Sequence, residues 1–198
     1  MHISEGILSG TVLAVGWAGT CAGISVGLKK TDTSKIVRTA LLSSAFFLAS
    51  LVNVRIGPSS THLSLIAPIG LVLGWSSFPA IFTALLLQAL LFHFGGLLVL
   101  GVNTFCMAFP ALMVYLLFGR SVRERTGVIS ALLSFVSGAL AVMTGAGLVG
   151  LSLGLTDGNF AAASKIIIMA HVPLAVIEGI ITAFMILWLK KSAPEFLQ

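Results

Sequence analysis

The second residue of the chain is a histidine, and around it lies the densest metal-binding chemistry in the sequence. The α-amine of Met1, the His2 amide and the His2 imidazole place three nitrogens in one chelating unit. Such nitrogens can lie in one plane around a metal, and planar nitrogen coordination suits Ni(II) and Cu(II). The arrangement needs a free amine, so an extension ahead of Met1 would destroy it. Residues 1–10 contain no Lys or Arg, whereas a secretory leader opens on a basic stretch. The N-terminus is therefore expected to be mature as written. Position alone leaves a second reading open, an exposed histidine at a frayed terminus.

Composition decides what must position these groups. Apolar residues make up 58% of the 198 and charged residues 9%, against roughly a quarter charged in soluble domains. A soluble globular domain is excluded, and the long apolar runs do not alternate as barrel strands do. The net charge of +5 comes with no basic stripe interleaved with aromatics, so no nucleic-acid partner is expected. Polar breaks predict an all-α, polytopic membrane bundle of seven spans, about 8–28, 37–54, 62–75, 79–95, 98–119, 127–153 and 165–189. The whole chain, 1–198, reads as one transmembrane substrate-binding domain. The third and fourth spans are short, and irregular backbone survives in a membrane only where protein or water satisfies it.

Seven spans put the termini on opposite sides. Lys29, Lys30, Lys35, Arg38, Arg120, Arg123, Arg125, Lys190 and Lys191 then share one face, leaving Arg55 and Lys165 on the other. The excess of positive charge marks that face as cytoplasmic, with the N-terminus outside and the C-terminus inside. This orientation gathers all four histidines, His2, His62, His93 and His171, in the outer half, together with Glu5, Gln88, Asn103 and Asp157.

His62 is the best candidate for a fourth nitrogen. It follows the turn Gly57-Pro58-Ser59-Ser60-Thr61, which could aim its ring into the bundle; a capping or interfacial histidine is the competing reading. His171 and Glu178, seven residues apart on one helical face, are read as packing or second-shell groups. An interhelical hydrogen bond is favoured for His171, and a buried partner is required for Glu178. Gln88 and Asn103 could orient a histidine or glue helices together, and Glu5 and His93 join the candidate second shell. Cys21 and Cys106 fall in apolar runs and read as packing residues. Gly19, Gly23 and Gly27 form a close-packing ridge, as do Ala45 and Ala49. The sequence has no G-x-x-x-x-G-K-[ST] or H-E-x-x-H element, and it is not expected to be an enzyme.

These residues together resemble a known family. Met1-His2-Ile3-Ser4-Glu5-Gly6 is similar to the Met-His-Ile-x-[Asp/Glu]-Gly start of the CbiM/NikM-type nickel/cobalt substrate-binding components of energy-coupling-factor transporters. The resemblance continues through Gly57 to Leu63, Gln88 to Phe92, Gly95-Gly96-Leu97, Leu100 to Phe105 with Met107, His171-Val172-Pro173 and Glu178 to Thr182. It implies a seven-helix substrate-capture subunit in the cytoplasmic membrane with its N-terminus tucked into the bundle. It further implies Ni(II) or Co(II) as transported substrate, held by the Met1 amine, the His2 amide and imidazole, and His62. The implied partners are a transmembrane coupling protein, two cytoplasmic ATPases and a small auxiliary membrane subunit. Cys106 stands where the family commonly has a second Asn, and it is treated as non-ligating. Two rival readings remain, a stand-alone secondary metal carrier or channel and a non-transporting membrane sensor. Because coordination needs unprotonated nitrogens, affinity should fall as pH drops below the histidine range.

Overall fold

The computed structural model describes residues 2–51, 53–56 and 59–197. Helix α1 (Gly10–Lys30) and α2 (Thr33–Ala49) lead into a short hairpin, β1 (Asn53–Ile56) paired antiparallel with β2 (Ser59–His62). There follow α3 (Ile66–Leu73), a 3-10 turn (Gly74–Ser76), α4 (Ser77–Phe92), α5 (Leu100–Glu124), α6 (Gly127–Thr156) and α7 (Ala161–Ser192). The fold is helical as expected, apart from this one hairpin in which Asn53 lies opposite His62. The Gly57-Pro58 corner expected to aim His62 lies outside the described residues.

Five helical stretches among the described residues are long and apolar enough to cross a membrane: 10–30, 66–92, 100–124, 127–156 and 158–192. This makes the chain a multi-pass membrane protein. The difference from seven full spans arises mainly at the third and fourth. Helix α3 has eight residues and rises only about 12 Å, well short of a hydrocarbon core of about 30 Å. Residues 63–65 ahead of it are not helical, and Ser64, Leu65 and nearly all of α3 are buried. An extended strand and a short helix therefore share one passage through the interior of the bundle.

That passage is possible because its exposed backbone groups find partners. The Glu178 carboxyl on α7 accepts from the Ser64 amide, from Ser64 Oγ at 2.9 Å and from the Leu65 amide at 3.1 Å to each oxygen. These donors stand at the start of α3, where amides lack intrahelical acceptors. The partner required for Glu178 is thus the backbone of the third segment. Further along, α3 crosses α5 so closely that a Cβ at Gly70 would lie 2.0 Å from the Ala111 carbonyl oxygen.

Small residues set the other close contacts. Gly16 and Gly19 on α1 meet Val102 and Phe105 of α5, while Gly23 and Gly27 meet Phe78 and the Trp75–Pro79 stretch. The α1 ridge is spent on packing within the bundle. Gly138 of α6 lies against Glu178 and Gly179 of α7, which brings α7 near enough to reach the third segment. At one end of the bundle Lys30 lies over Trp75, Arg38 over Phe196, and Lys190 Nζ donates to the Arg123 and Arg125 carbonyls.

Replacing Gly70 with Val should push α3 off α5 and destabilise the protein by about 1–3 kcal/mol or more. Glu178→Ala should destabilise comparably, by leaving buried amides without acceptors. Thermal unfolding of the detergent-purified variants reads both, and a melting temperature unchanged in either would show that the passage is held by something else.

Candidate metal centre

Residues 2–9 precede α1 and fold back among the helix ends. This segment is not helical, so its amides need partners from elsewhere. Asn103 on α5 supplies two: its Oδ1 accepts from the Ile3 amide at 2.9 Å, and its Nδ2 donates to the Ile3 carbonyl at 3.1 Å. The Glu5 amide donates to the Gly95 carbonyl at 2.9 Å, and the Glu5 carboxylate accepts from the Leu98 amide at 3.0 Å. Gly95 and Gly96 have φ of +80° and +137°, where side chains are rarely tolerated. A Cβ on Gly96 would also strike the Glu5 carboxylate at 2.1 Å. The Gly-Gly pair is the slot through which the segment is threaded.

The segment delivers His2 to His62. Both are buried, their ring centroids 4.7 Å apart at 38°. His2 Nε2 lies 2.9 Å from Gln88 Oε1. The Gln88 amide is oriented in turn by Ser50, just past the end of α2: Ser50 Oγ donates to the Phe46 carbonyl at 2.8 Å and accepts from Gln88 Nε2. With Oε1 facing His2, Nε2 must carry the proton and Nδ1 is left with a free lone pair. On His62 the Leu63 carbonyl, 3.0 Å from Nδ1, fixes the opposite tautomer and frees Nε2. His2 Nδ1 and His62 Nε2 are both buried and have no hydrogen-bond partner among the described residues. Two unpartnered ring nitrogens thus sit in neighbouring buried rings.

Their surroundings keep both rings neutral. Burial is the chief reason that the His2 imidazole titrates near 3, and it also holds His62 well below the usual histidine range. Phe94 covers His2 with ring centroids 6.3 Å apart, and Phe46 meets His62 edge-on at the same separation. Among the described residues no three His, Cys, Asp or Glu side chains gather around one point. Met1, expected as a ligand, lies outside the described residues.

The other candidates divide. Gln88, Asn103 and Glu5 all serve the N-terminal segment. His93 does not: it ends α4 in the left-handed conformation with its side chain exposed. Phe94, the next residue, is the ring that lies beside His2. His171 makes no interhelical bond among the described residues; its Nδ1 donates within its own helix to the Ile167 carbonyl at 2.7 Å. Cys106 faces Ser152 on α6, Sγ to Oγ 4.0 Å, and lines a groove with residues of α1 and α6. Ser50, Ser64 and Phe94 went unnoticed in the sequence. A serine two residues after a candidate ligand histidine was the available signal for Ser64.

Residues 2–196 match the family model CbiM, described as the cobalt uptake substrate-specific transmembrane region. The chain belongs to the CbiM family. It is 36% identical over 197 residues to a Haemophilus influenzae protein provisionally named a metal transport protein, covering 98% of this chain and 96% of that one. It is 30% identical over 221 residues to the cobalt transport protein CbiM of Kyrpidia tusciae, covering 100% and 86%. It is 31% identical over 224 residues to the fused nickel transport protein NikMN of Rhodobacter capsulatus, covering all of this chain and 64% of that longer protein. A crystal structure of a transition metal transporter superposes with a TM-score of 0.85 at 28% identity, over 96% of this chain and 93% of that one. This CbiM-family chain is a transmembrane component of cobalt or nickel uptake.

Docking of the N-terminal segment should depend on pH. Released His2 would titrate near 6.5 and docked His2 near 3, so the released form binds more protons between those values. Docking is then fully stable above about 6.5 and weakens as pH falls, by about 2 kcal/mol at pH 5. Hydrogen exchange of the Ile3 and Glu5 amides in metal-free protein, corrected for intrinsic rates, should show protection falling from pH 8 to pH 5. Equal protection at both would mean that His2 is not buried when docked.

Proposed function

We propose that this protein is the substrate-capture subunit, a single domain over 1–198, of an energy-coupling-factor type transporter for Ni(II) or Co(II). The supporting observation is the neighbouring pair of buried lone pairs, His2 Nδ1 and His62 Nε2, each freed by a fixed acceptor on the other ring nitrogen. The Met1 amine and the His2 amide complete a four-nitrogen set in this reading. A planar set suits Ni(II) better than Zn(II), which prefers a tetrahedron.

The chain crosses the membrane seven times in this proposal, counting the Leu63–Leu73 strand and helix as the third crossing. The N-terminus faces outside, and the end carrying Lys30, Arg38, Arg123, Arg125 and Lys190 faces the cytoplasm. Metal enters from outside beneath the N-terminal segment. It leaves inward when a transmembrane coupling protein and two cytoplasmic ATPases reorient the bundle, with a small auxiliary membrane subunit attached. The chain itself breaks no covalent bond.

His2→Ala removes one donor outright and disorganises the chelate, so Ni(II) affinity should fall by roughly 100-fold or more, about 2.7 kcal/mol. One residue inserted ahead of Met1 should do the same while leaving the melting temperature of metal-free protein unchanged. Binding also displaces protons from the amide and amine, so affinity should decline from pH 8 to pH 5 even though docked His2 stays neutral. Isothermal titration with nickel chloride measures all three. Undiminished affinity in the extended protein would remove the amine from the site.

A further inference from the structure

We propose that His171 is the next ligand on the ion's inward path, taking the divalent cation in partnership with His62 once His2 lets go. This rests on the reading of His2 and His62 given above. His171 is 1% exposed, and the Ile167 carbonyl on Nδ1 leaves Nε2 with a lone pair and no partner among the described residues. Burying an acceptor unsatisfied costs about 1–3 kcal/mol, and a ring kept only for packing would be better replaced by an apolar one. The chain thus keeps a third imidazole in the same chemical state as the two of the outer pair.

Helix geometry puts it beside His62. Helix α7 packs against β2. Glu178, on the same face as His171 and about 10 Å along the axis, is bonded to Ser64 and Leu65. Those residues lie two and three beyond His62 in non-helical chain, also about 7–10 Å if extended. In the proposal His171 lies alongside His62, on the part of α7 that precedes Glu178. His171 is also among the groups whose charge acts on His62. Among the described residues the three rings do not converge on one point; in the proposal two pairs hold the ion in turn, with His62 common to both.

Handover is a ligand exchange without redox change. A bond from His171 Nε2 to the ion forms; the bonds from His2 Nδ1, the His2 amide nitrogen and the Met1 amine break, and the amide nitrogen takes a proton from water, whose hydroxide passes to solvent. The ion remains divalent and never leaves His62.

The test uses full-length protein in detergent with cobalt chloride as probe. His2→Ala should retain a weaker Co(II) site whose visible absorption shows imidazole nitrogen ligands. Adding His171→Ala should weaken that residual binding by roughly tenfold or more. His171→Gln should do so too, and it keeps an amide N–H for the Ile167 carbonyl, so an unchanged melting temperature separates lost ligation from misfolding. Adding His93→Ala, at the exposed end of α4, should leave the residual site intact. The inference is overturned if His2→Ala retains no Co(II) site, or if the residual site is indifferent to His171. If His2→Ala binds as tightly as the unaltered protein, the outer pair itself is wrong, and this inference goes with it.

Discussion

One carboxyl group holding four donor contacts makes this bundle possible. An apolar interior has no water to satisfy stray amides, yet the chain runs through it in non-helical form just before α3. Glu178 meets that need at Ser64 and Leu65. Its position depends on the glycine contact between α6 and α7, and α3 in turn depends on Gly70 lying against Ala111. His62 stands at the head of this supported segment, so the ring inherits its place from a hydrogen bond made two residues later.

The N-terminal segment poses the same problem and receives a lighter answer. Asn103 clasps Ile3 with a pair of neutral amide bonds, Gly95 adds a third at the Glu5 amide, and the Leu98 amide holds the Glu5 carboxylate. Neutral hydrogen bonds exchanged against water are each worth about 1 kcal/mol. A few of them position a segment without making its release prohibitive. The third segment is the fixed wall of the site and the N-terminal segment is its detachable one, a division that suits a protein that must both seize an ion and give it up.

Tautomer control links the two walls. Gln88 on His2 and the Leu63 carbonyl on His62 each claim one ring proton, and the other nitrogen of each neighbouring ring is left unpartnered among the described residues. Ser50, by orienting the Gln88 amide, acts on the His2 ring through one intermediary. Such outer hydrogen bonds set both the direction and the basicity of a nitrogen donor. Burial keeps protons from competing, so the rings are poised for a cation across the ordinary pH range.

Much of this was legible in order of residues alone. The apolar runs announce a membrane bundle because no other fold can bury so few charges. His2, His62, Gln88 and Asn103 stand out because polar groups in such runs need a reason. Local pattern put His93 among the candidates although its ring is exposed at the end of α4, and it offered His171 an interhelical bond that the described residues do not provide. It also drew the third span as a helix, because hydropathy measures apolarity and not the path of the backbone. The sequence by itself determined which groups could bind a metal and that they must sit in a membrane. Only the tertiary structure decided which histidine rings lie side by side, because that depends on hydrogen bonds between residues as far apart as 64 and 178, which no local spacing encodes.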